Sequence, residues 1–174
     1  MTHRRADHRS ALLQLALLAL LVLPAGARAL STDREQPIYI SADRVEVDER
    51  AGVSRYLGDV QMRQGTLHVD AETVTVYKKG DTLSRVVADG KPTHFRQKPD
   101  DGGPEIRGRA LHLEYHADSA LLYLTHDAHV QQAKDEFTGE RVVYDSKKST
   151  VHASGGDNGR VHAVIHPKPK DGKK

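Results

Sequence analysis

Apolar residues recur two positions apart along most of the chain beyond residue 30, in short runs broken by Gly, Asp, Lys and Pro. Side chains two apart project from one face of a strand. No stretch carries a helical period. Same-face groups are Val45/Val47, Val60/Met62, Leu67/Val69, Val74/Val76, Leu111/Leu113/Tyr115, Leu122/Leu124 and Val142/Tyr144. The pattern predicts strands over 38–40, 44–48, 53–57, 59–63, 67–70, 73–77, 83–88 and 93–97. It predicts eight more over 105–108, 110–115, 120–125, 128–132, 136–139, 141–145, 150–154 and 160–165. Short strands at regular spacing mean an all-β sandwich, barrel or solenoid.

One phrase is written four times. A small residue is followed three and five positions later by two apolar ones: Ala42 with Val45 and Val47, Ala71 with Val74 and Val76, Gly108 with Leu111 and Leu113, Gly139 with Val142 and Tyr144. A unit of this length cannot bury its own apolar face, so copies must stack. About four units, each of two hairpin-like pairs, give about sixteen strands.

The breaks have sequence reasons. The stretches 48–52 and 78–81 are polar and hold Gly52 and Gly80, which supply positive φ. The loop 100–104 contains two glycines and Pro104 and cannot continue a strand. It is a candidate half-way division.

Residues 1–29 are read apart. Arg4, Arg5 and Arg9 precede an apolar run from Ala11 to Leu23, then Pro24 and the small-residue site Ala27-Arg28-Ala29. This is the three-part pattern of a secretory signal peptide, with cleavage expected after Ala29. The run is short for a membrane span, which needs about 20 apolar residues. An uncleaved N-terminal anchor is the alternative. The expected organisation is a signal peptide at 1–29, a β domain at 30–166 and a basic, disordered tail at 167–174.

Removing the signal peptide changes the charge. The chain holds 26 Lys+Arg and 24 Asp+Glu. Without Arg4, Arg5, Arg9, Arg28 and Asp7, 22 basic and 23 acidic residues remain. Four of those lysines lie in the tail, so the folded body is mildly acidic. A nucleic-acid binder should show a basic body, and no nucleic-acid partner is expected. With no cysteine, thiolate metal sites and a Cys nucleophile are excluded.

The apolar faces are the main chemical signal. Periodicity does not choose between a closed sandwich core and an interior open enough to hold lipid chains. Of eleven histidines, His112 and His116 flank Glu114 on one strand face, with His126 and His129 nearby. Such spacing can share a zinc ion, but a half-buried strand also places polar residues on its solvated face. That reading is preferred, and no metal or cofactor is expected. There is no G-x-S-x-G, H-E-x-x-H or P-loop pattern, so no enzyme activity is expected.

The segments 36–43, 58–60, 65–67, 71–74, 90–95 and 139–144, in this order, resemble the OstA-like family, the periplasmic lipopolysaccharide-transport proteins of the LptA type. The likeness runs from about residue 36 to 165. It departs at His126-Asp127, where the family often has a Gly-Asn corner, and at Gly155, Gly156 and Gly159. The resemblance implies an opened β-jellyroll, or β-taco, of about sixteen antiparallel strands, located in the periplasm. Its apolar groove shields the acyl chains of lipid A. Implied partners are lipopolysaccharide, further copies of the chain joined head to tail, and inner-membrane-anchored and outer-membrane transport proteins of the same fold. Alternatives are a membrane-anchored relative that hands lipid to the bridge, and a β scaffold that binds none. The expected lining is Ile38, Ile40, Val60, Met62, Val74, Val76, Phe95, Leu111, Leu113, Tyr115, Leu122 and Leu124.

Overall fold

A computed structural model describes residues 33–99, 102–157 and 159–167. The expected signal peptide at 1–29 and all of the expected tail beyond Pro167 lie outside the described residues. No helix of the described residues is long and apolar enough to cross a membrane.

After a short 3-10 turn at Asp33–Glu35, ten strands follow: β1 (Ile38–Ser41), β2 (Arg44–Asp48), β3 (Val53–Gln64), β4 (Leu67–Lys79), β5 (Thr82–Gln97), β6 (Ile106–His116), β7 (Leu121–Gln132), β8 (Asp135–Asp145), β9 (Thr150–Ser154) and β10 (His162–Val164). All pair antiparallel in one sheet, each long strand beside the next in sequence. β1 and β2 both pair with β3, and β9 and β10 both pair with β8.

Each of the six long strands carries an irregularity at one level of the sheet, and the β4–β5 ladder shifts once more between Tyr77 and Lys78. The register shifts at Gly58-Asp59 in β3, Ala71-Glu72 in β4, 90–92 in β5, 110–111 in β6, His126-Asp127 in β7 and Glu140 in β8. Bulges increase the bend and twist of a strand. Aligned in a row across the sheet, they fold it into two facing layers around one cluster of buried residues. β2 and β9 are the edges of the first layer, and β1 and β10 the edges of the second.

This corrects the strand count. Twelve of the sixteen expected segments are the two arms of six continuous strands. The bulges interrupt the alternation and so read as breaks, but beyond each of them the ladder resumes on the same strand. Only at the two edges does the corner separate strands, β1 from β2 and β9 from β10.

The repeat is also corrected. The four pairs joining β1 to β3, the five joining β2 to β3 and the ten joining β3 to β4 all recur 68 residues later, in the pairings of β6 with β7 and β7 with β8. Tyr56↔Val74, for example, becomes Leu124↔Val142. Left-handed backbone recurs likewise: Gly52, Gly58, Asp59 and Gly65 have positive φ, and so do Ala120, His126, Asp127 and Ala133. The chain is therefore two tandem copies of one half, joined where β5 pairs with β6. The 100–104 loop falls at that joint. His126-Asp127 adopts the same left-handed corner as Gly58-Asp59 despite its different sequence.

Candidate functional site: the apolar interior

Pairing sorts the inward side chains into rows that cross the sheet. In the first layer one row runs Val45, Tyr56, Val74, Ala88, Leu113, Leu124, Val142, Ala153, and the next runs Val47, Ser54, Val76, Val86, Tyr115, Leu122, Tyr144, Val151. In the second layer a row runs Ile40, Met62, Val69, Phe95, Gly108, Val130, Phe137, Ala163. The β-branched and aliphatic side chains suit such a pleated, one-sided surface. Gly108 has no side chain because the Phe95 ring occupies that space, against Leu124 from the opposite layer.

The middle of this interior is packed: Val74, Leu124, Val130 and Val142 have no exposed surface. The β1–β2 end is different. There the layers part around a cavity of about 910 Å³ lined by Ile38, Ile40, Tyr56, Val76 and Leu83, with Ser54, Arg63 and Lys78 at its rim. Val45 and Val47 stand on the same rows yet are 52% and 59% exposed, because no facing strand covers them. The N-terminal strap pins this end. Asp33 accepts hydrogen bonds from the Thr66 backbone N–H at 2.7 Å, the Thr66 hydroxyl at 2.7 Å and the Gln97 amide at 2.8 Å. The hydroxyl of fully buried Thr93 has no hydrogen-bond partner among the described residues.

Of the expected lining, Val60, Met62, Val74, Val76, Phe95, Leu113, Tyr115, Leu122 and Leu124 are buried in this interior, and Ile38 and Ile40 pack against it half-buried. Leu111 does not belong. It is 41% exposed and lies in a groove with Lys91, Pro92, Arg109, Asp127 and His129. The bulge at 110–111 restarts the alternation, so Ala110 and Leu113 point inward and Leu111 outward. Read from Ala110 instead of Gly108, the repeated phrase gives Leu113 and Tyr115, which do share rows with Val74/Val76 and Val142/Tyr144. The sequence reading left Val86, Ala88, Ile106, Val130, Val142 and Tyr144 out of the lining. Periodicity marks several of them, but only the register shows that they share rows with the rest.

The opposite face carries four histidines beside carboxylates. His112 lies 2.7 Å from Asp89, His116 3.0 Å from Glu114, His126 2.6 Å from Glu140 and His129 3.6 Å from Glu136. Burial pushes the Glu114 carboxyl up, but the Arg85 guanidinium, which donates to it at 3.0 Å, and His116 outweigh that and hold it below its ordinary value. Among the described residues no three His, Asp or Glu are grouped to hold a metal ion.

The geometry is that of a hydrophobic trough folded from a continuous sheet, open at one end. The profile of the family described as "LptA/(LptD N-terminal domain) LPS transport protein" matches residues 39–150. The chain belongs to this family. It is 35% identical to the lipopolysaccharide export system protein LptH of Pseudomonas aeruginosa over 153 residues, 83% of this chain and 87% of that protein. It is 31% identical to the lipopolysaccharide export system protein LptA of Escherichia coli K12 over 151 residues, 86% of this chain and 81% of that protein. The crystal structure of LptH, titled the LptA-homologous periplasmic component of the lipopolysaccharide transport device of P. aeruginosa, superposes with a TM-score of 0.73 at 33% identity. The match covers 79% of this chain and all of that one. The family assignment and this likeness agree with the opened, all-β jellyroll.

Proposed function

We propose that this chain is a periplasmic carrier of lipopolysaccharide. Its interior shields lipid A acyl chains, and it links inner- and outer-membrane transport components by end-to-end strand association. The observation that carries this reading is the apolar trough, whose rows cross every strand and open at the β1–β2 end. An acyl chain gains about 0.8 kcal/mol per buried CH₂, while a uniform lining sets no deep minimum along its path. The chain enters at the wide end. Further passage requires the packed layers to part on the side away from the row of bulges, where no ladder joins them.

The linking role rests on the edges. β1 and β2 at one end, and β9 and β10 at the other, leave backbone groups unpaired, and such edges recruit further strands. A chain cut after Ser154 is expected to stay monomeric where the whole chain forms oligomers that grow with concentration. Oligomers from the truncated chain would count against this role.

Photo-crosslinking to lipopolysaccharide tests the binding role. Probes at Ile40, Val76 and Leu113 should label, and probes at His112 and Glu114 should not. The reverse pattern, or no labelling, would overturn the trough as carrier. Periplasmic protein beginning at Leu30 is expected by mass spectrometry, and membrane-held protein retaining residues 1–29 would instead indicate the anchored relative.

A further inference from the structure

The two halves of the chain meet at a seam, and the same two surfaces are left bare at its ends. β6 is the counterpart, 68 residues on, of β1 and β2 together: Ile106 matches Ile38, Gly108 matches Ile40, Leu113 matches Val45 and Tyr115 matches Val47, each with the matching partner on the next strand. β5 has its counterpart in β9 and β10. Val74↔Ala88 and Val76↔Val86 correspond to Val142↔Ala153 and Tyr144↔Val151, and Val69↔Phe95 to Phe137↔Ala163. The first edge is therefore a β6 without its β5, and the last edge a β5 without its β6.

We propose that a second copy of this chain docks there in the register that β5 and β6 already use. This rests on the end-to-end reading and adds its geometry. Inside the chain Ala88 faces Leu113, Val86 faces Tyr115, Val87 faces Glu114 and Arg96 faces Arg107. Transferred to the ends, Ala153 of one copy faces Val45 of the next, Val151 faces Val47, His152 faces Glu46 and Val164 faces Tyr39. The chemistry fits at each place. Apolar meets apolar on the inward rows, and a histidine meets a carboxylate on the outward one. Two further observations point to the same occupant. The large hydrophobic residues exposed on the described surface are Tyr39, Val45, Val47, Val161, Val164, Ile165 and Leu111, and all but Leu111 lie on or beside these two edges. Docked this way, the Val45 and Val151 rows also run unbroken from one copy into the next.

The absence of native cysteine makes the register directly testable in the full mature chain. Facing residues have Cβ atoms about 5 Å apart and residues offset by two about 7–8 Å, and a disulfide needs about 4 Å. The variants Val47→Cys/Val151→Cys and Glu46→Cys/His152→Cys cover both kinds of antiparallel pair. On mild oxidation at least one should give a ladder of covalent dimers and higher species, at least about tenfold faster than the offset variant Val45→Cys/Val151→Cys. Val47→Cys alone should not cross-link. Faster linkage of the offset pair, or of the single variant, would overturn the register while leaving self-association standing. No linkage from any pair, with a monomer in sedimentation at high concentration, would overturn the register and the end-to-end reading together.

Discussion

Leu111 and Leu113 are two residues apart on one strand and face opposite sides of the sheet: Leu113 is 1% exposed and Leu111 41%. The bulge at 110–111, which sets Leu111 out of phase with Leu113, is the corner of the fold. Leu113→Asp should prevent folding or cost about 4 kcal/mol or more, because a carboxylate is buried without a partner. Leu111→Asp should change stability by less than about 0.5 kcal/mol, as surface changes do. Urea unfolding of the two variants, with circular dichroism as the probe, separates them. Similar losses in both would mean that the register of β6 is wrong.

This pair also shows what the sequence makes legible. Alternation within each arm is reliable, because one face is buried and the other wet. Val74/Val76, Leu122/Leu124 and Val142/Tyr144 therefore read true. A bulge adds a residue without a compositional mark. Ala110-Leu111 look like ordinary strand residues, unlike the corners at Gly58-Asp59 and His126-Asp127, so phase carried across them goes wrong by one. Pairing between strands distant in sequence is equally silent in periodicity. That is why the 68-residue duplication first appears as four phrases, one of them out of phase.

The duplication yields a stability prediction. Gly65 and Ala133 are equivalent, with φ of 58° and 56°. Alanine is strained there and glycine is not. Ala133 is exposed and turns between β7 and β8. Ala133→Gly should stabilise the chain by about 0.5–1 kcal/mol, the relief of strain exceeding the gain in unfolded-state freedom. A lower melting temperature in the variant would contradict this.

Asp33 holds the N-terminal strap by three hydrogen bonds, two from Thr66 in the β3–β4 turn and one from Gln97 at the end of β5. Asp33→Ala should cost about 2 kcal/mol, since bonds to a charged acceptor are worth more than average and its donors regain water only in part. Amide hydrogen exchange should quicken at Thr66 and along β1, with β7 and β8 unaffected. Uniform loss of protection would show instead that the strap is part of the global core.

Glu114 gives a pH dependence of defined sign. Its carboxyl is held below the ordinary 4.5 in the folded chain, so the folded state favours the charged form. That contribution is full above about pH 4.5 and is lost as pH falls through the lowered native value. Glu114→Gln should cost about 0.5 kcal/mol at pH 7, the scale of a solvent-screened ion pair, and progressively less as the pH falls below about 4.5. A cost that persists unchanged at pH 3 would assign the effect to shape rather than charge.

The tandem architecture bears on how a ligand would travel. When copies dock at the seam they already contain, successive halves, within a copy and across the junction, are related by one screw operation, and neighbouring copies by two of its steps. A lipid sliding along the inward rows then meets a near-equivalent environment every half molecule, and the energy profile along the path has that shorter period. Crossing from one molecule to the next becomes the same event as crossing its midpoint, so the junction between proteins presents no distinct barrier to the cargo.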